Sequence, residues 1–126
     1  MNAAITGLYA ALLAGLFIVL SARVIAYRRG NSISLGDGGD GVLLARVRAQ
    51  GNFAEYAPFG VLLMLIAEAQ GTAPFWLHLC GAQLLIGRLL QSVNFSFGIR
   101  NMGLRVGGMV LTLTALGLGA VLCLPG

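Results

Sequence analysis

Lysine is missing from this chain and carboxylates are scarce: Asp37, Asp40, Glu55 and Glu68 are the whole acidic complement. Charged residues make up 10% of the sequence, against roughly a quarter in a soluble domain. That deficit excludes a water-soluble globular protein and leaves no polar sequence for a separate soluble domain. Histidine occurs once, at His78, without metal-ligand partners in sequence, and an interfacial or packed role is expected for it. Cys80 and Cys123 stand alone inside apolar runs, so neither a CxxC motif nor a metal-ligand spacing exists, and both are expected to be small buried hydrophobes. The opening stretch, MNAAITGLYAALLAGLFIVLSAR, carries no arginine ahead of its apolar run. It reads as a retained first helix, not a cleaved signal peptide. Internal repeats and low-complexity tails are also lacking.

What is present is grease: 58% of residues are hydrophobic and the mean hydropathy is +0.89, the composition of an integral membrane protein. A span needs about 20 apolar residues, and four candidates fit, at about 3–27, 41–70, 74–95 and 104–124. Residues 30–40, GNSISLGDGGD, are a clear loop, and GTAP at 71–74 is a tight turn that hands Pro74 to the first turn of a helix. Pro58 falls inside the second span and is expected to kink it. The predicted fold is all-α: one antiparallel, up-down four-helix membrane bundle over residues 1–126. Gly103, Gly107 and Gly117 are expected to let helices approach closely, and Glu68, at the outer end of span two, is expected to be solvated.

All eight basic residues are arginines. Arg23, Arg28, Arg29, Arg46 and Arg48 lie near the connection between spans one and two; Arg88, Arg100 and Arg105 lie near that between spans three and four. The termini and the 71–74 turn have none. The positive-inside rule then puts both arginine-bearing connections in the cytoplasm and both termini on the other side. Because the arginines flank apolar runs, they form no soluble basic face for nucleic acid. Taken singly, those near helix ends read as anchors that snorkel towards lipid head groups.

The segment RVRAQGNFAEYAP departs from that pattern. Positions 48, 52 and 55 follow i, i+4, i+7, so Arg48, Asn52 and Glu55 share one helix face, with Gln50 and Tyr56 close by. Ionisable groups at membrane depth are costly and mark either a site or an internal ion pair. Antiparallel neighbours would put Arg88 and Arg105 at the same level, converging with Asn52 and Glu55 on a cationic pocket holding one carboxylate. Such a pocket suits a small ligand with several carboxylates and an ammonium, since arginine binds carboxylates in bidentate fashion. A nearby cation would also favour a thiolate over a thiol. No metal is implied.

The RxxxNxxEY pattern of residues 48–56 resembles the second-helix glutathione motif of the MAPEG family, the membrane-associated proteins in eicosanoid and glutathione metabolism. GRLLQS and RVGGMVLT resemble that family's third and fourth helices, and the resemblance covers nearly the whole chain. It implies a homotrimer with glutathione, a cosubstrate, held between subunits by Arg48, Asn52, Glu55 and Tyr56, with Gln50 nearby. It further implies that Arg88 supports the pocket, that Arg28 or Arg29 reaches a neighbouring subunit's site, and that Arg105 stabilises the thiolate as the catalytic residue. Gln91 and Phe95 depart from the pattern, standing where eicosanoid-converting relatives carry a tyrosine or histidine and a further tyrosine.

The reading that follows is a glutathione-dependent transferase or peroxidase acting on lipophilic electrophiles that arrive through the bilayer. Its expected partners are glutathione, membrane lipids, the lipophilic substrate and further copies of itself, in a bacterial inner membrane. A non-catalytic glutathione or lipid binder is the alternative that Gln91 and Phe95 favour. A small four-helix multidrug exporter is a third, weakened because its essential first-span acid has no counterpart here.

Overall fold

The structure, a computed structural model, describes residues 3–36, 38–96 and 101–125, the side chains of Phe95 and Ser96 excepted. Arg100, expected at the second arginine-bearing connection, and the side chain of Phe95 lie outside the described residues. Four helices account for nearly all of the rest: α1 (Ala4–Asn31), α2 (Gly41–Ala69), α3 (Pro74–Ser96) and α4 (Met102–Cys123). The four helices lie near the four segments expected to be helical, with α1 running on to Asn31, into the expected 30–40 loop. On length and composition, α1 and α4 are apolar enough to cross a membrane.

Local chemistry explains the boundaries. Ser32, in the left-handed region at φ 55°, ends α1 and returns its N–H to the Arg28 carbonyl. Asp40 starts α2 by accepting from the amides of Val42 and Leu43 at 2.9 and 3.2 Å, and Asn101 does the same for α4 through Gly103 and Leu104. The helix α2 runs through Pro58 unbroken.

Side-chain contacts give the helix directions. Ser21 meets Gln50 while Thr6 meets Glu68; Asn52 meets Arg88 while Gly60 lies against Leu84; Gln91 meets Arg105 while Cys80 meets Ala115. Consecutive helices therefore run in opposite senses, and the two arginine-bearing connections share one end. Among the described residues, α1 packs on α2 and α3, α4 packs on α2 and α3, and α1 and α4 do not touch. The two helices apolar enough to cross a membrane thus flank a central α2–α3 pair, which is where buried polar side chains can be sheltered. The core is Leu13, Leu20, Phe53, Ala57, Met64, Cys80, Leu84 and Ala115 with their neighbours.

The close-approach glycines differ from the expected ones. A Cβ at Gly107 or Gly117 would meet nothing within 4 Å, and one at Gly103 would meet only the Asn101 side chain. The buried stripe of α4 is Gly108, Thr112, Ala115 and Gly119, so Gly107 and Gly117 lie off the contact face. A Cβ on Gly87 would sit 2.8 Å from the Gly108 carbonyl oxygen and 2.9 Å from the Thr112 amide. The α3 and α4 backbones therefore touch at Gly87 and Gly108.

Glu68 also corrects expectation. It is buried, and its carboxylate accepts from the amides of Ile5 (3.1 Å) and Thr6 (2.8 Å), the opening turn of α1. Ala3 at the start of α1 offers no side-chain cap, so the orphan amides find their acceptor on another helix. His78 lies at this end, its Nδ1 2.9 Å from the Tyr9 hydroxyl. Cys80 and Cys123 are free thiols donating to the carbonyls of Ala115 and Leu63, consistent with a packing role.

Candidate functional site

The polar centre of the bundle is Arg88, on the helix that α2 and α4 both cover. Its side chain is 1% exposed. Nε donates to the Thr112 hydroxyl at 3.1 Å, and Nη1 donates to the carbonyl of Asn52 at 3.3 Å and to its side-chain oxygen. The guanidinium carbon stands 5.1 Å from the centre of the Tyr56 ring, a cation–π contact. Nη2 is buried with no hydrogen-bond partner. All of these contacts are to neutral groups, so among the described residues a positive charge is held inside the bundle with no acid in contact with it.

The Gly87–Gly108 contact makes this arrangement possible, because it draws α4 close enough for Thr112 to receive Arg88. One turn along α3, Gln91 is buried and donates its amide to the Arg105 backbone carbonyl, fastening the start of α4. Gln91 Oε1 is buried without a partner. The structure thus brings together Arg88, Asn52, Tyr56 and Gln91, with the Arg105 main chain adjoining.

Other expected site residues sit elsewhere. Arg48 and Glu55 are exposed, on the flank of α2 beside Asn52, and the Arg105 side chain is exposed as well. At 100° per residue Gln50 lies roughly 160° around the helix from Asn52. It faces α1, donating to the Ser21 hydroxyl at 2.9 Å. Convergence of Arg48, Arg88, Arg105, Asn52 and Glu55 on one pocket is therefore only partial within the chain.

A second cluster occupies the α1–α2 connection. Tyr27 donates to Asp40 at 2.7 Å, and Arg46 lies 4.9 Å above the Tyr27 ring while donating to the Arg23 carbonyl. The Tyr27 hydroxyl, then the Leu43 amide, hold the Asp40 carboxyl below the usual carboxylate range. Arg28 donates to the Gly36 carbonyl at 2.7 Å, and Arg29 is exposed beside it. Sequence reasoning missed Thr112 because a lone threonine in an apolar helix carries no signal; its partner Arg88 was the clue.

Comparison with known proteins gives a consistent family. The sequence model described as the MAPEG family matches residues 6–125. The inner membrane protein YecN of Escherichia coli strain K12 is 37% identical over 91 residues, 72% of this chain and 70% of its own length. YecN from a second Escherichia coli strain, O6:H1, matches to the same extent. No solved structure matches. With the RxxxNxxEY motif on α2 and four helices in the expected places, the chain belongs to the MAPEG family of membrane proteins.

Proposed function

We propose that the protein is a glutathione-dependent transferase or peroxidase acting on lipophilic electrophiles, assembled as a homotrimer in a bacterial inner membrane. The observation that carries this reading is Arg88: a buried guanidinium with an orphan Nη2, set against Asn52 and Tyr56 of the α2 motif. A buried cation whose contacts are all neutral is expensive unless an anion completes it. A carboxylate of glutathione is an anion of the right kind.

Arg48, Asn52, Glu55, Tyr56 and Arg88 would hold the tripeptide, with Glu55 accepting from its ammonium and Gln50 lying nearby. Because Arg48 and Glu55 are exposed in the protomer, a neighbouring copy would have to complete the pocket. That is the geometry the family resemblance implies, with Arg28 or Arg29 reaching in from the neighbour. When bound, glutathione supplies the nucleophilic sulfur. The part left to this chain is to orient it and, through the cationic Arg105, to favour its ionised form. The distribution of arginines supports a site facing the cytoplasm with both termini on the other side.

The test is difference absorbance for the thiolate on detergent-purified protein as glutathione is added, followed by turnover with a model aryl halide. Arg105→Ala is expected to abolish the thiolate band and cut conjugation while largely sparing glutathione binding. Unchanged turnover in that variant would rule Arg105 out as the activating residue. A second reading, binding without turnover, is favoured by Gln91, whose amide is spent on the Arg105 carbonyl at a position where converting relatives have a hydroxyl or imidazole. Glutathione binding with neither thiolate absorbance nor turnover would establish it.

A further inference from the structure

The bundle leaves one face of α2 and one face of α1 bare, and the two complement each other. On α2, positions 48, 55, 59, 62 and 66 follow i, i+7, i+11, i+14, i+18 and form one stripe. Arg48, Glu55, Phe59, Leu62 and Ile66 are all exposed along it. Ionisable residues of membrane helices face a bundle interior or a cavity, not lipid, so a stripe that holds Arg48 and Glu55 needs a cover. On α1, the small residues Gly7, Ala11, Ala14 and Gly15 are exposed together. A Cβ on Gly7 or Gly15 would meet nothing within 4 Å among the described residues.

We infer that the α2 stripe is the seat of α1 from a second copy of this chain. The inference rests on the oligomer of the reading above and names the two faces that meet in it.

Depth matches the faces residue by residue. Within the chain, Thr6 stands level with Glu68 and Ser21 with Gln50. Copies arranged in a ring about an axis along the membrane normal keep every residue at its own depth, so the same levels hold between copies. Interpolation between the two contacts puts Ile66 beside Gly7, Leu62 beside Ala11 and Phe59 beside Ala14. Each large side chain of α2 then faces a small residue of α1, the pattern that lets membrane helices approach closely. The other faces match less well. The outer side of α4 presents Val110 and Leu113, both large and exposed, and α2 against its own copy would set Arg48 beside Arg48. Further towards the arginine-bearing end, α1 of the second copy would bring Ile18 beside Glu55 and Ala22 beside Arg48. That closes the lipid side of the motif and leaves room at Ala22.

The experiment is cysteine cross-linking of the full-length protein in membranes, in a Cys80→Ala/Cys123→Ala background. A chain carrying Ala11→Cys and Leu62→Cys should give bands of two and three copies on mild oxidation, and neither substitution alone should cross-link. Bands from Leu62→Cys alone would overturn the seat in favour of an α2–α2 contact. Bands from Leu62→Cys with Val110→Cys, and none with Ala11→Cys, would overturn it in favour of α4; no band from any pair overturns it as well. A second variant keeps the native cysteines. In Gly7→Leu/Gly15→Leu the new side chains start in open space, so the helical signal should persist while light scattering shows the detergent particle falling to a single copy. A particle of unchanged mass overturns the inference. Glutathione titration of the cross-linked sample reads the other proposal separately: an Ala11–Leu62 cross-link in protein that binds no glutathione sinks the glutathione reading and supports the seat.

Discussion

Glu68→Ala should release the start of α1 from the bundle. In the native protein the Glu68 carboxylate accepts from two amides, at 3.1 Å from Ile5 and 2.8 Å from Thr6, and it is almost entirely buried. A hydrogen bond to a charged group contributes about 1.5–3 kcal/mol, so losing both costs about 3–6 kcal/mol. The Thr6 side of that loss is the harder to repair, because Thr6 is 3% exposed and water cannot easily take the place of the carboxylate. Glu68→Gln keeps the shape and one acceptor oxygen and should cost about half as much. The assay is the thermal midpoint of detergent-purified protein, followed by size-exclusion recovery, together with hydrogen exchange at the Ile5 and Thr6 amides. The expected order of midpoints is wild type, Gln, Ala, with exchange in the first turn of α1 accelerated in the same order. An unchanged midpoint and unchanged exchange in Glu68→Ala would refute the tether.

Three further outcomes follow from the same structure. Gly87→Ala would put a methyl group 2.6 Å from the Thr112 hydroxyl and under 3 Å from two α4 backbone atoms, so α3 and α4 must part. A loss of about 1–3 kcal/mol, read as a lower thermal midpoint, is expected, and an unchanged midpoint contradicts the close approach. Arg88→Met, which keeps the bulk and removes the charge, should weaken glutathione binding about 10- to 150-fold, the equivalent of one buried charge-assisted contact. Its thermal midpoint should move little, because removing a buried charge offsets the lost hydrogen bonds; an unchanged Kd in equilibrium dialysis would make Arg88 purely structural. Asp40 has a folded-state pKa below its unfolded value, so its stabilising contribution is complete above about pH 4 and is lost as the pH falls through the lower, folded value. Asp40→Asn should remove that acid-side decline from a pH series of melting midpoints, and an identical decline in both proteins would contradict it.

The helices were legible in the sequence because loops, turns and apolar runs are local signals; residues 30–40 and 71–74 separate the spans without ambiguity. The Arg48–Asn52–Glu55 side of α2 was legible for the same reason, since helical spacing fixes which residues share a flank. Where the sequence misled, the deciding contact lay far along the chain. Glu68 is 62 residues from Thr6, and nothing near either residue announces the pairing. The glycines of α4 show the same limit: Gly107 and Gly108 are neighbours in sequence, but only Gly108 meets α3, because rotation of α4 about its axis is set by packing. Gln50 belongs to the motif by spacing, yet it turns to Ser21, since a residue two places from Asn52 points to the opposite flank.

On the reading proposed above, the α2 motif and the buried Arg88 form one anion-binding centre for glutathione. Isothermal titration of purified protein with glutathione tests it most directly, with Asn52→Ala run beside the wild type because Asn52 is the motif residue that touches Arg88. Saturable binding by the wild type is expected, weakened at least tenfold in Asn52→Ala. Absence of saturable heat in the wild type, or equal affinity in the two proteins, would contradict it.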